Sequence, residues 1–240
     1  MHSPFVFDFI TRVLNDRTLY PAYAQVETLR KELQQNSEMI RVEDFGAGSV
    51  YQSEKNRSIG TIARHAAKPA KYGQLLHRIV RHYQPVNILE LGTSLGITSA
   101  YLACANPEGR LTTLEGAHEI ALRASANLAA IGLQNVKVIE GNFDNTLPGF
   151  LDTAGLIDLA FIDGNHRKEP TLRYFDWLLA HRGNESMFIF DDIHWSREME
   201  EAWSMICQHP AVSCSIDLFF IGIVVFRKEI REKQHFPIRF

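Results

Sequence analysis

Cysteine is scarce in this 240-residue chain, and the three present, Cys104, Cys207 and Cys214, are odd in number and scattered. They form neither a disulfide framework nor a metal knuckle, and they point to free thiols in a reducing compartment. No apolar run reaches membrane-spanning length. The N-terminus lacks a basic segment followed by a long apolar one, because Asp8 interrupts Pro4 to Ile10. A cytoplasmic protein with no membrane partner is the expectation. Neither sign of charge dominates: 25 Lys and Arg against 28 Asp and Glu leave a net charge of −3, which argues against a general nucleic-acid surface. Internal repeats and low-complexity tracts are missing too, so no solenoid or long linker is called for. What remains is 45% hydrophobic and 22% charged, the balance of an ordinary globular protein, and long enough for one α/β domain with appended elements.

Periodicity sketches the elements. Ser3 and Pro4 read as a cap and first-turn pair, with Phe5, Phe9 and Val13 at helical spacing after them. Phe5, Phe7 and Phe9 serve either packing or contact with a substrate or a dimer partner. Ala22 to Gln35 is a second amphipathic stretch, and Tyr72 to Tyr83 a third that Pro85 ends. Short apolar runs at Ile88–Leu91, Arg110–Glu115, Val136–Ile139, Ile157–Ile162 and Met187–Phe190 then alternate with helical segments, the pattern of a parallel sheet. Leu147 to Leu151 reads as a short helix or turn interrupted by Pro148 and Gly149, and Ser196 opens a helix with Glu198, Glu200 and Glu201 in its first turn. Val212–Asp217 and Phe219–Phe226 read as two further strands. The tail, 228–240, carries no functional signal.

The chain is organised around Val86 to Gly96, where an apolar run ends in Glu90 and passes into a glycine turn before a helix. A strand, a glycine turn and a helix N-terminus together place unpaired N–H groups beside a polar ligand. A dinucleotide fingerprint would need glycines at 92, 94 and 97, but Ser94 and Ile97 stand there, so a nicotinamide oxidoreductase is disfavoured. Glu115 ends the next strand, and a carboxylate at that edge can accept hydrogen bonds from both hydroxyls of a ribose. Asn142, Phe143 and Asp144 end the third strand with amide, aromatic and carboxylate groups. Asp163 and His166 follow the fourth strand, and Asp191, Asp192 and His194 the fifth. Asp44 to Ser49 imitates the Glu90 motif but follows too polar and short a run to be central. It reads as a surface turn, or as part of a lid together with Tyr51, Lys55 and Arg57.

From about Lys71 to Arg227 the chain resembles the class I S-adenosylmethionine-dependent methyltransferases, through Glu90-x-Gly92-x-Ser94-x-Gly96 and the second acidic strand end at Glu115. Within that class it is most similar to the branch of catechol O-methyltransferase and related small-molecule enzymes, which the Lys71-Tyr72-Gly73-Gln74 helix start strengthens. The resemblance implies a Rossmann-like, doubly wound α/β fold: a mostly parallel seven-stranded sheet with an antiparallel last strand, plus an N-terminal helical extension. The corresponding division is a cap or lid extension over 1–70, the cofactor-binding domain over 71–227 and the tail over 228–240. Carried over by position, Glu90, Gly92, Thr93, Ser94 and Gly96 contact S-adenosylmethionine around its methionine part, Glu115 its ribose, and Asn142, Phe143 and Asp144 its adenine. Asp163 is a further cofactor contact, and Asp163, Asp191 and Asp192 match the ligands of a divalent cation, Mg or Mn. His166 stands where the branch has a basic lysine, and Asp192 where it has an amide.

Those residue types suit methyl transfer to a hydroxyl, which needs an aligned acceptor and a route for its proton. His166 is the candidate base, with Asp163 beside it and His194 as the alternative. A non-catalytic S-adenosylmethionine-binding protein keeping the same fold is the competing reading.

Overall fold

A computed structural model describes residues 3–42 and 56–240. The segment from Glu43 to Lys55, including the glycine turn that imitates the central motif, lies outside the described residues.

Helix α1 (Pro4–Phe9) runs into a π-helical turn over Ile10–Leu14, and α2 (Pro21–Gln35) follows. Ser3 makes no side-chain cap, against expectation, so Pro4 starts the helix through its fixed φ alone. Val6, Phe9 and Val13 are fully buried, while Phe7 is exposed, so the aromatic pattern is chiefly packing. Strands β1 (Met39–Arg41) and β2 (Asn56–Ser58) form a separate antiparallel pair, and α3 (Ile59–His65) begins with Ser58 Oγ accepting from the Thr61 amide at 3.1 Å.

From α4 (Ala70–Tyr83) onward strands and helices alternate: β3 (Asn87–Leu91), α5 (Ile97–Ala105), β4 (Arg110–Glu115), α6 (His118–Ala130), β5 (Val136–Glu140), α7 (Phe143–Ala154), β6 (Ile157–Ile162), α8 (Lys168–Leu179), β7 (Arg182–Asp191) and α9 (Arg197–Gln208). Strands β8 (Cys214–Asp217), β9 (Ile221–Val225) and β10 (Gln234–Pro237) complete the order. Two expectations about elements change. The stretch around Pro148 is a full helix, α7, because Asn142 caps it and Leu147 and Leu151, one turn apart, are both buried under the sheet; tertiary packing outweighs the amide that proline lacks. The tail supplies β10, making the sheet one of eight strands rather than seven; Phe236, Ile238 and Phe240 pack against the core there.

The sheet runs β10-β8-β9-β7-β6-β3-β4-β5. The five strands β5, β4, β3, β6 and β7 are mutually parallel, and β9 alone is antiparallel to its neighbours β7 and β8. Successive side chains separate into two layers. Ile88, Phe161 and Ile189 face α1, α4 and α5, whereas Leu89, Ile162 and Phe190 face α7, α8 and α9. Between β3 and its neighbours β4 and β6 the winding reverses, which opens a crevice at the carboxyl ends of the strands. No helix among the described residues is long and apolar enough to cross a membrane.

Helix α4 lies against α5 with Gly73 at the contact, where an added Cβ would run into the ring of Tyr101. That ring is fully buried and its hydroxyl donates to Glu27 on α2 at 2.8 Å, so it has no room to retreat. Alanine is the better helix former by about 1 kcal/mol, but overpacking a rigid aromatic costs roughly 1–3 kcal/mol. Gly73→Ala is therefore expected to lower the urea midpoint, and a midpoint at or above that of the parent would show that the ring yields.

Candidate functional site at the carboxyl edge of the sheet

Parallel register brings the acidic strand ends together. Leu91 pairs with Leu114 on one side and Ile162 on the other, Ile162 pairs with Phe190, and Glu115 with Glu140. Glu90, Glu115, Asp163 and Asp191 consequently share one edge, around the loop that leaves β3.

That loop depends on glycine at two points. Gly92 has φ +103° and lies so close to the Asp163 carbonyl that a Cβ would collide with it, and Gly96 has φ +83° at the start of α5. The amides of Gly92 and Thr93 donate to the Leu114 carbonyl at 2.9 and 3.2 Å, which ties the loop to β4. Ser94, at φ +47°, donates its amide to Glu115 Oε2 at 2.8 Å, and the Ala117 amide donates to Glu115 Oε1 at 3.0 Å. The Glu115 carboxylate is thus aimed by backbone donors on both oxygens. Burial raises its pKa, and those backbone hydrogen bonds pull it back down.

Glu90 is fully buried. Its Oε2 accepts from the Ser99 hydroxyl and, at 2.7 Å, from Thr113 Oγ1, which also bonds Thr93 Oγ1 at 2.6 Å. Its Oε1 has no partner. Burial pushes the Glu90 pKa up to about 7, with the Ser99 and Thr113 hydroxyls opposing that rise. A buried acceptor without a donor beside an anion-accommodating loop marks a place where a polar ligand completes the structure. The adjoining cleft is lined by Ile62, Ala63, Ala66 and Ala67 on one side and by Gly92 to Leu95 and Asp163 on the other. Its volume of about 20 Å³ has room for roughly one water.

The residues after β5 separate in role. Asn142 caps α7, its Oδ1 accepting from the Asp144 amide at 2.9 Å. Phe143 lays its ring against Gly164, beside Asp163, and Asp144 is paired with Arg173 at 2.9 Å on an exposed face.

At the ends of β6 and β7, ligand atoms of Asp163, His166 and Asp191 all lie within 4.8 Å of one another. His166 Nε2 is 3.5 Å from Asp163 Oδ1. Asp192, at φ +51°, instead holds Lys68 Nζ at 2.7 Å through Oδ1, and the same ammonium lies against Asp191 Oδ2. His194 points elsewhere: its Nε2 bonds Asp217 at 2.9 Å and its ring stacks on Phe219. Burial raises the pKa values of Asp163 and, further, of Asp191. For Lys68 burial works against the charge, but attraction from Asp191, Asp163 and Asp192 wins and the pKa rises.

Carboxylates and an imidazole have the right donor chemistry for a divalent cation. As arranged here, however, Lys68 faces two of the three carboxylates expected to bind it, and that expected set does not fit the ion: among the described residues the ligand atoms that stay together are those of Asp163, His166 and Asp191, without Asp192. Lys68 escaped the sequence reading because it precedes the recognisable helix start by three residues. Only the surplus of strand-end carboxylates, which need a counter-charge, hinted at it.

Residues 89–193 match a family described as a methyltransferase domain. The chain is similar to a catechol O-methyltransferase of Niastella koreensis, 34% identical over 124 residues, covering 50% of this chain and 55% of that protein. It therefore spans about half the length of that relative. Among solved structures, an O-methyltransferase from Bacillus cereus in complex with SAH superposes with a TM-score of 0.62 at 21% identity, over 92% of this chain and 97% of that one. The O-methyltransferase TomG of Streptomyces achromogenes, in complex with SAM, gives 0.62 at 22% identity over 92% and 96%. At such identities the likeness is one of fold, and the fold is the Rossmann-like α/β fold expected.

Because the folded state holds the Glu90 proton up to about pH 7 and the unfolded chain releases it near the ordinary glutamate value of 4.5, the folded protein loses stability as pH rises through that window. Glu90→Gln removes the buried charge and is expected to gain roughly 1–3 kcal/mol over the parent at pH 8 and nothing at pH 4. Denaturant titrations at the two pH values measure the difference. An equal effect at both would mean that the carboxylate is not the source.

Proposed function

We propose that this chain, which carries a methyltransferase domain over residues 89–193 and resembles the catechol O-methyltransferase-like branch of the class I S-adenosylmethionine-dependent enzymes, transfers a methyl group to a hydroxyl oxygen of a small molecule. The observation that carries the reading is the pair of acidic strand ends flanking the Gly92–Gly96 loop. Glu90 has a buried oxygen without a donor, and Glu115 has a carboxylate held in place by two backbone amides.

In this reading Glu90 Oε1 accepts from the ammonium of the cofactor's methionine part, which supplies the missing hydrogen bond. Glu115, whose orientation costs nothing on binding because Ser94 and Ala117 already fix it, takes the ribose hydroxyls on its remaining lone pairs. Asn142 and Phe143 line the adenine end, while Asp144 acts through its pair with Arg173. S-adenosylmethionine supplies a methyl group on a cationic sulfur, ready for in-line displacement. The chain's own task is to hold the acceptor oxygen in line and take its proton. His166 is positioned for that proton, with Asp163 beside it to stabilise the imidazolium that forms. His194, bound to Asp217, is not on this route.

No step here passes through a divalent cation, because Lys68 engages Asp191 and Asp192. The acceptor is a phenol or related hydroxyl compound, with catechol the first probe; a homodimer and a cytoplasmic location fit the reading.

Calorimetry with S-adenosylmethionine tests the cofactor site. Glu115→Ala is expected to weaken binding by about 1.5–3 kcal/mol, with Glu115→Gln intermediate, and neither variant should lose the cooperative thermal transition. Unchanged affinity would remove Glu115 from the site, and binding of NAD without S-adenosylmethionine would overturn the function.

A further inference from the structure

Lys68 lies on the short connection between α3 and α4, immediately before Pro69, the residue that caps α4. Its side chain is 17% exposed, and its Nζ reaches across to the carboxylates of Asp191, which ends β7, and Asp192, which follows it. Asp192 Oδ1 is 2.7 Å away, Asp191 Oδ2 lies against it, and Asp191 itself is 1% exposed. The backbone of Asp192 adopts the left-handed conformation, unusual for a residue with a side chain, and so turns this second carboxylate onto the ammonium. The same connection contributes Ala66 and Ala67 to the wall of the cleft above the Gly92–Gly96 loop. The cation therefore sits where cleft wall and carboxylate cluster meet, next to the Asp163 and His166 pair.

We infer that Lys68 is the resident positive charge of this carboxylate cluster, standing where the related branch places a divalent cation, and that its ammonium binds the acceptor oxygen during methyl transfer. The inference rests on the methyltransferase reading for its second half alone. An ammonium has three N–H donors: one goes to Asp192 Oδ1, and a second faces Asp191 Oδ2, which it meets as an ion pair rather than as an aligned hydrogen bond. The third is available to an oxygen that gains negative charge, where a fixed donor in a dry site does most for the rate. In the balanced step the acceptor O–H bond breaks and its proton passes to His166 Nε2. The oxygen lone pair forms the new C–O bond as the C–S bond breaks, and that electron pair returns to sulfur. Lys68 neither gains nor loses a proton, so it can stabilise the oxyanion without competing with the base.

Two measurements on the full chain test this separately. In the first, Mn²⁺ is titrated against the protein and free ion is read by electron paramagnetic resonance, with no acceptor present. The parent should bind no Mn²⁺ at submillimolar concentration, whereas Lys68→Met, which frees the carboxylates, should bind it at least about tenfold more tightly. Tight Mn²⁺ binding by the parent would overturn the proposal. In the second, catechol methylation is followed with and without chelator. The parent should be indifferent to chelator. Lys68→Met should lose about 100-fold in kcat with little change in S-adenosylmethionine affinity, and Lys68→Arg, which keeps the charge and guards against a folding failure, should recover part of it. Chelator-sensitive turnover by the parent, or full kcat in Lys68→Met, would sink the role. Should no acceptor turn over at all, the functional reading fails while the Mn²⁺ titration still decides what holds the cluster together.

Discussion

Parallel strands that end side by side in carboxylates create an electrostatic debt, and the rest of the site is built around settling it. Glu90, Glu115, Asp163 and Asp191 are collected on one edge by strand register. Three of them meet different answers. Two hydroxyls hold one oxygen of Glu90 and leave the other bare, backbone amides hold Glu115, and an ammonium from a distant part of the chain holds Asp191. A buried carboxylate left without such partners would cost several kcal/mol, so these contacts are conditions for the fold as well as features of a site.

Glycine and close backbone packing set the geometry in which those charges act. The Gly92 amide is bound to β4, and a Cβ on Gly92 would collide with the carbonyl of Asp163 at the end of β6, so the loop lies against both neighbours of the central strand. A ligand that enters here meets a surface already organised on three strands.

Legibility followed the range of the interactions. Each central strand and most helices could be read from local apolar period, and so could the acidic ends, because a parallel strand is a short apolar run that stops at its ligand-facing edge. Helix α7 was misjudged because Pro148 is a local signal, and burial of Leu147 and Leu151 against the sheet overrides it. Strand β10 was missed because a short edge strand with polar and aromatic residues has no distinctive period. In the site, Glu90, Glu115 and the Asp163 to Asp191 cluster stood out. What could not be read was the division of labour within it: His194 turning to Asp217, and Asp144 to Arg173.

By itself the sequence determined a parallel α/β sheet, a glycine loop unsuited to a dinucleotide, and a row of carboxylates at strand ends, all of them consequences of patterns spanning fewer than a dozen residues. Tertiary structure alone decided what those carboxylates face. Lys68 and Asp192 are 124 positions apart in the chain, and no local period connects them. Their contact exists because the connection between α3 and α4 passes the carboxyl edge of the sheet while β7 delivers its end to the same place. Which charge answers which is therefore settled by the path of the backbone, since an ion pair is specified by distance in space and carries no signature along the sequence.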